Sequence, residues 1–508
     1  FEMTREADTA ASEKAGIPLQ DLAGGDKTDD AGEGVEAQTQ LKVYRRRWLI
    51  LAVVALLNNS NTMTWISFAP VSNYANLFYG PDAGKWFSMV YMMVTIPVGL
   101  FSMWAGRSFG TKASIYIAAT ANGLGSAIRL ASSFLPQAYR FPVGIAGQAL
   151  AGVAYPFIMY LPSKVANSWF PHNQRAIATT VGAMSNPLGV LLANSISPQL
   201  VRSVDDIPYL NVLVFIPSLV AFLLAVGGVR TGEPKIPPSF SASQTQMEFW
   251  PGLMQCLKSP QYLILFLVMG GGIGMFNCLY TIMQSLLCPS GYVNTFVGLC
   301  AALMIIGGLI GATCSSIIVD RTKMYEETMK VALGLAVVFG LVFMQLTQWS
   351  NLHWLIGLCC FSFGVLGLAT YPVGLELSVE CTHPVSEATA TGMIVLSGQV
   401  QSVIYVMLMN VLQREVSEEK KKIQVCTVNA NDTTNEAKDN TLAIMAFSII
   451  AAILVVILVV FFKPVYKRLE AEKANRAAGE KSAELAKQEN EKGLPSQNSV
   501  VQPLNSTS

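Results

Sequence analysis

The chain has 508 residues, of which 52% are hydrophobic and 13% charged, with a mean hydropathy of +0.42. Soluble domains are about a quarter charged, so the composition excludes a soluble globular protein and implies a polytopic membrane protein. The net charge of +1 gives no sign of a nucleic-acid partner.

Residues 1–43 are polar, acidic and aperiodic, and are expected to be a disordered tail. The first apolar run, Trp48 to Asn76, follows Arg45, Arg46 and Arg47 and is long enough to cross a bilayer. Its second half is polar: Asn58, Asn59, Ser60, Asn61 and Thr62 stand in a row, then Trp65 near mid-depth, then Pro70. Lipid cannot hydrogen-bond amides, so these side chains must face protein or water. The run is expected to line a cavity; the alternative is an ordinary first span whose polar residues hold it to its neighbours.

Further runs follow near 84–106, 112–134, 142–167, 174–201, 208–229, 259–287, 294–319, 328–347, 352–378, 386–413 and 441–463, which makes twelve spans. The Pro- and Ser-containing stretch 230–258 divides them into six-span halves, 44–229 and 259–469. A polar loop covers 414–440. The charged tail from 470 to 508 is expected to continue the last helix at first and then to be disordered. With both termini inside, Lys and Arg are in excess in the inner loops and span ends by about two to one. The sequon Asn431-Asp432-Thr433 then lies outside, where glycosylation is expected.

Six spans, a linker and six more spans predict an all-α membrane protein of the major facilitator fold, with its binding site near mid-membrane between the halves. Gate residues are read from the loop after span 8, where Asp320 and Arg321 fall in Val-Asp-Arg-Thr-Lys. Glu376 and Glu380, a turn apart at the inner end of span 10, are candidate partners. The loop after span 2 keeps its glycines but places Arg107 where an Asp is usual. The other reading of these charges is topology and packing.

Trp65 in span 1, Tyr155 in span 4, Asn277 in span 7 and Gln399 in span 11 lie well inside their spans, and none is charged. Aromatic faces beside neutral hydrogen-bonding groups suit an ammonium ligand; the alternative is interhelical or lipid-side packing. No mid-span Asp or Glu suggests a proton or sodium carrier, which favours uniport. The nine cysteines contain no CxxC pair, the three histidines sit at predicted span ends or in loops, and no cofactor or metal site is expected. Cys288, just past span 7, and Cys426, in the last outer loop, both face an oxidising side and are candidates for a disulfide; two unpaired thiols are the alternative.

The stretches WISFAPVSN, WFSMVYMM, LPSKVANSWFPHNQRA, AMSNPLGVLLANSISPQLV, GGGIG, VDRTK and LELSVECTHPVSEATATGM resemble solute carrier family 49, the feline leukaemia virus subgroup C receptor-related transporters. The resemblance spans nearly all of 44–469. It implies a facilitator-type transporter working by alternating access, in the plasma membrane or an endomembrane, expected as a monomer with the bilayer and a small solute as partners. Better-studied members move choline and ethanolamine and were earlier described as heme exporters. Trp65 matches the family's cation-binding Trp, Gln399 its Gln on the eleventh helix, and Phe276 its Phe on the seventh. Tyr155 stands where choline-type members have Gln, and Asn277 where they have Tyr. An organic cation is thus the leading cargo class. Heme or another amphipathic anion is the second reading, with Cys288-Pro289 as a weak heme-type pair. A non-transporting receptor or scaffold with this fold is the third.

Overall fold

The computed structural model describes residues 44–234, 248–416, 425–428, 435–467 and 470. Twelve long helical spans account for most of them. Ten are long and apolar enough to cross a membrane. The other two, Gly110–Ser132 and His172–Leu200, have span length but are rich in Gly, Ser, Thr and Asn. Helices are the form such segments must take, because each satisfies its own backbone polar groups without water. Span 12, Thr441–Phe461, leaves Ile449, Ile453, Val456 and Val460 exposed, as a lipid-facing surface requires.

Span 1 is not one helix. Arg46–Ile66 stops, a single 3-10 turn Ala69–Val71 follows, and Ser72–Tyr79 resumes. Pro70 has no N–H to continue the ladder and disfavours helical backbone at the residue before it. Span 4 breaks similarly, into Gln137–Ile158 and Leu161–Trp169. Span 10, His353–Thr382, runs four residues past its expected end. Two readings of the connections change. The stretch 230–258 contains the helix Phe249–Lys258, whose apolar Phe249 and Leu253 pack against Met103 of span 2 and Leu396 of span 11. The last membrane helix ends at Phe461, residues 462–466 are not helical, Lys467 and Glu470 are helical again, and the rest of the expected tail helix lies outside the described residues.

Within the first half, span 1 packs on span 5, span 3 on spans 4 and 6, and span 2 on span 4. Within the second, span 8 packs on span 10, span 7 on span 11, and span 9 on span 10. Small residues allow the closest approach: a Cβ at Gly311 of span 8 would sit 1.8 Å from the Val365 carbonyl of span 10. The halves meet where span 2 packs on span 11 and span 5 on span 8.

The polar run of span 1 settles between helices. Asn58 Nδ2 donates to the Gly182 carbonyl (3.0 Å) and Asn59 Nδ2 to the Ser185 carbonyl (3.2 Å), both in span 5. Asn186 Nδ2 donates to Thr62 Oγ1 (2.8 Å), and Asn122 Nδ2 of span 3 to Ser60 Oγ (3.1 Å). For Asn58 to Thr62, interhelical packing replaces the expected cavity lining: an amide in a dry bundle is cheapest when its partner is another amide or carbonyl.

The far face, where span 1 ends, joins the halves through Lys85 Nζ of span 2, which donates to Asn410 Oδ1 of span 11 (2.7 Å), and through a set of uncharged side chains. Ser72 Oγ donates to Gln284 Oε1 of span 7 (3.0 Å) and Asn294 Nδ2 of span 8 to Asn73 Oδ1 (2.8 Å). Asn76 Nδ2 donates to Asn435 Oδ1 (2.9 Å), and Asn435 Nδ2 to the Asn73 carbonyl (2.9 Å). Asn435 arrives on the loop between spans 11 and 12. That loop pairs Arg414–Glu415 with Lys438–Asp439 as two short antiparallel strands and is tied to the end of span 7 by a Cys288–Cys426 disulfide, Cα–Cα 5.0 Å.

Candidate functional site

Trp65 occupies the last turn of the first helix of span 1, immediately before the break. Its ring lies parallel to Tyr91 of span 2, with centroids 6.1 Å apart and planes inclined by 25°. Tyr91 in turn lies 5.9 Å from Tyr155 of span 4. The three rings form a row from spans 1, 2 and 4. Tyr91 is held by its hydroxyl, which donates to Asn61 Oδ1; Asn61 Nδ2 donates to Asn122 Oδ1 (2.9 Å) and to the Ala151 carbonyl (2.9 Å). Trp65 is 9% exposed, and its Nε1 is buried without a hydrogen-bond partner among the described residues, which is costly. Tyr155 is half-buried.

In the second half, Phe276 stacks on Phe363 of span 10, with centroids 4.5 Å apart and planes 15° from parallel. Gly367 makes room for that ring: a Cβ there would meet it at 2.4 Å. Asn277 Nδ2 donates to Ser402 Oγ of span 11 (3.1 Å). Gln399 is buried on span 11, between Ser397, whose Oγ donates to the Phe266 carbonyl (2.9 Å), and Gln401, whose Nε2 donates to the Leu267 carbonyl (3.1 Å).

The Ser72–Gln284 bond sets the depth of span 1 against span 7. Trp65 and Asn277 each stand seven residues before their member of that pair, Asn277 on a continuous helix and Trp65 across the break in span 1. The five expected site residues fall into two groups, Trp65 with Tyr155 in one half and Phe276, Asn277 and Gln399 in the other.

The expected gate residues lie at the ends of spans 2, 8 and 10. Arg321 is exposed at the end of span 8, whereas Glu380 is 4% exposed and Glu376 half-buried near the end of span 10. The side chains of Arg107 and Asp320, and the sequon at Asn431, lie outside the described residues. Among the described residues no cluster of His, Cys, Asp and Glu could hold a metal ion.

Two residues escaped the sequence reading. Tyr91 sits inside the WFSMVYMM stretch of span 2, but nothing in the spacing separates it from a packing aromatic. Arg129 left a clearer signal. It is a lone charge within a predicted span, which marks a functional or structural site by default. It is 1% exposed in span 3 and surrounded by spans 1, 4 and 6.

Comparison with known proteins decides the family. The Major Facilitator Superfamily family model matches residues 48–406. Solute carrier family 49 member A3 of Danio rerio is 37% identical over 473 residues, covering 92% of this chain and 97% of that protein. The chain belongs to solute carrier family 49, within the major facilitator superfamily. Another member similar to it is the human protein named Choline/ethanolamine transporter FLVCR2, 28% identical over 389 residues and covering 73% of each chain. Among solved structures, that of a D-xylose-proton symporter superposes with a TM-score of 0.62 at 14% identity, covering 82% of this chain and 98% of that one. At that identity the likeness speaks for the fold alone. As a member of family 49, this chain is a multi-pass membrane transporter of a small molecule, not an enzyme, with the all-α fold read from its sequence.

Proposed function

We propose that the chain carries a small organic cation of the choline and ethanolamine class by alternating access. The observation that carries this reading is the row of Trp65, Tyr91 and Tyr155, neutral rings in contact across spans 1, 2 and 4, with an indole N–H that has no partner among the described residues. An ammonium ion leaving water needs a replacement for its hydration, and ring faces supply it without a counter-charge. The indole N–H suits a hydroxyl or similar acceptor on the same cargo. The name of the FLVCR2 relative points the same way. Tyr155 and Asn277, which depart from the choline-type pattern, are the positions at which headgroup preference would change.

The near face is assigned to the cytosol with both termini, the far face to the outside of the cell or the lumen of an endomembrane, and the working unit to a monomer with no nucleic-acid partner. Arg107, Asp320, Arg321, Glu376 and Glu380 form the near-face gate of this scheme, and Asn431 its glycan site. The heme reading loses support at Cys288, whose sulfur is already bonded to Cys426, and at His353, which packs edge-on against Tyr292 and Phe296. The test is uptake of labelled choline, ethanolamine and heme into vesicles with and without the protein. Saturable choline or ethanolamine flux is expected. Flux of heme alone overturns the cargo class, and flux of none supports a receptor or scaffold.

A further inference from the structure

We propose that Arg129 is a positioning residue for Trp65, acting by gripping the end of the first helix of span 1. The proposal rests on the reading of Trp65 as a cargo-binding residue.

The sequence makes the problem. A helix end leaves its last carbonyls without amide partners, and the end at Ile66 lies inside the bundle, with Thr64, Trp65, Ile66 and Phe68 all buried. Pro70 cannot supply an N–H. The answer comes from span 3. Arg129 Nη1 donates to the Thr64 carbonyl (2.7 Å) and to Gln148 Oε1 (3.0 Å), and Nη2 donates to Ser67 Oγ (2.6 Å). Its Nε donates to Asn211 Oδ1 of span 6 (2.8 Å). Gln148 Nε2 of span 4 adds donors to the Thr64 carbonyl (3.0 Å) and, at the limit of a bond, to the Trp65 carbonyl (3.5 Å). The guanidinium carbon lies 3.9 Å over the ring of Phe68.

Residues 64, 65, 67 and 68 are thus all held by one side chain and its amide partner. Among the described hydrogen bonds of Arg129, each acceptor is neutral. The charge is tolerated because it sits at a helix C-terminus, where the aligned carbonyls carry partial negative charge, and because a planar fork can satisfy several acceptors at once. A lysine has one point of attachment and cannot reproduce that set. The backbone so fixed is the one from which the Trp65 indole projects, so its distance to Tyr91 and the aim of its Nε1 follow from Arg129.

The test uses the full chain in lipid nanodiscs and in cells at matched surface level. Arg129→Lys is expected to speed amide hydrogen exchange in the segment 64–72 by about tenfold or more, with spans 8–12 unchanged. It is also expected to raise KM for labelled choline about fivefold while maximal flux per surface molecule stays within about twofold. In the Trp65→Phe background the KM effect is expected to shrink to below about twofold, since residues acting through one another are not additive. Unchanged exchange in 64–72, exchange that rises throughout the chain, or an equal KM effect in both backgrounds would overturn the proposal. If Arg129→Lys fails to reach the surface, Gln148→Met, which removes the donor to the Thr64 and Trp65 carbonyls and the acceptor of Arg129 Nη1, carries both measurements. Wild-type protein that moves neither choline nor ethanolamine refutes the cargo reading instead, and the exchange measurement then decides on Arg129 by itself.

Discussion

The Trp65 indole and the Tyr91 ring lie face to face, 6.1 Å apart, and only the tyrosine has its polar atom paired. The stack therefore has a fixed member and a member with an unused N–H. Tyr91 is anchored through Asn61 to spans 3 and 4.

Trp65→Ala is expected to weaken choline binding by a factor of about two to thirty, from a ring contribution of roughly 0.5–2 kcal/mol. Trp65→Phe keeps a ring but loses the N–H, and should retain part of the flux. Concentration dependence of labelled choline uptake at matched surface expression checks both. Equal kinetics in all three proteins would make Trp65 a packing residue.

Because Trp65 Nε1 is the unpaired atom, the wild type should prefer choline to ethyltrimethylammonium, which lacks the hydroxyl acceptor. A neutral hydrogen bond contributes about 1 kcal/mol, or about fivefold in affinity. Competition assays read the ratio, and Trp65→Phe should bring it toward one.

Tyr91→Phe removes the bond to Asn61 and leaves the stack. Its expected cost is about 1 kcal/mol of stability, more if Asn61 Oδ1 finds no other donor. Choline KM should stay within about twofold. Thermal unfolding in detergent measures the first and uptake the second; a large KM effect at unchanged stability would move the hydroxyl into the binding step.

At Gly298 of span 8 a Cβ would stand 2.3 Å from the Asn194 carbonyl of span 5. Neither backbone can yield locally, so Gly298→Ala should force spans 5 and 8 apart and favour the state open at the far face. Asn435→Ala, which removes two bonds between the halves, should act in the same direction, by roughly fivefold or more in the equilibrium. Labelling of a cysteine at Gln284 by a membrane-impermeant thiol reagent reports the shift. Unchanged labelling in both variants would remove these contacts from the closure.

The Cys288–Cys426 link spans 138 positions of sequence, and links closing long loops typically contribute about 2–4 kcal/mol. Cys288→Ser and Cys426→Ser should each lower the unfolding midpoint, and the double variant should match either single one. A membrane-impermeant reductant applied to intact cells should reproduce the loss if the far face is extracellular. Additive effects would show two independent thiols.

How much of this was legible in the sequence varies by scale. Ten of the twelve spans follow from hydrophobic length alone, because lipid allows a segment of that size little other than a helix, whereas Gly110–Ser132 and His172–Leu200 are too polar for hydropathy to mark them by itself. Span 1 is the instructive exception. Its Asn-rich run and Pro70 signal a departure from a plain anchor, but composition cannot say which neighbour an amide will find. Asn58 and Asn59 found span 5, and Asn61 found spans 3 and 4. Trp65 was readable because a large amphipathic ring at mid-depth is uncommon and matches a family position. Its partner Tyr91 was not, since a stack depends on the crossing of two helices far apart in sequence. Arg129 was readable as a buried charge but not as a cap, because the helix end it serves lies on another span.

The far-face seam is made of Ser72, Asn73, Asn76, Gln284, Asn294 and Asn435. Hydroxyls and amides neither gain nor lose protons over the physiological range. Halves latched by carboxylates or imidazoles would part or tighten as their surroundings acidify. These six side chains take no part in such linkage. What added salt can reach among the described bonds between the halves at this face is Lys85 of span 2, paired with Asp82 (2.6 Å) and donating to Asn410 Oδ1 of span 11 (2.7 Å), so ionic strength acts on the closure through that one lysine and leaves the amide seam untouched.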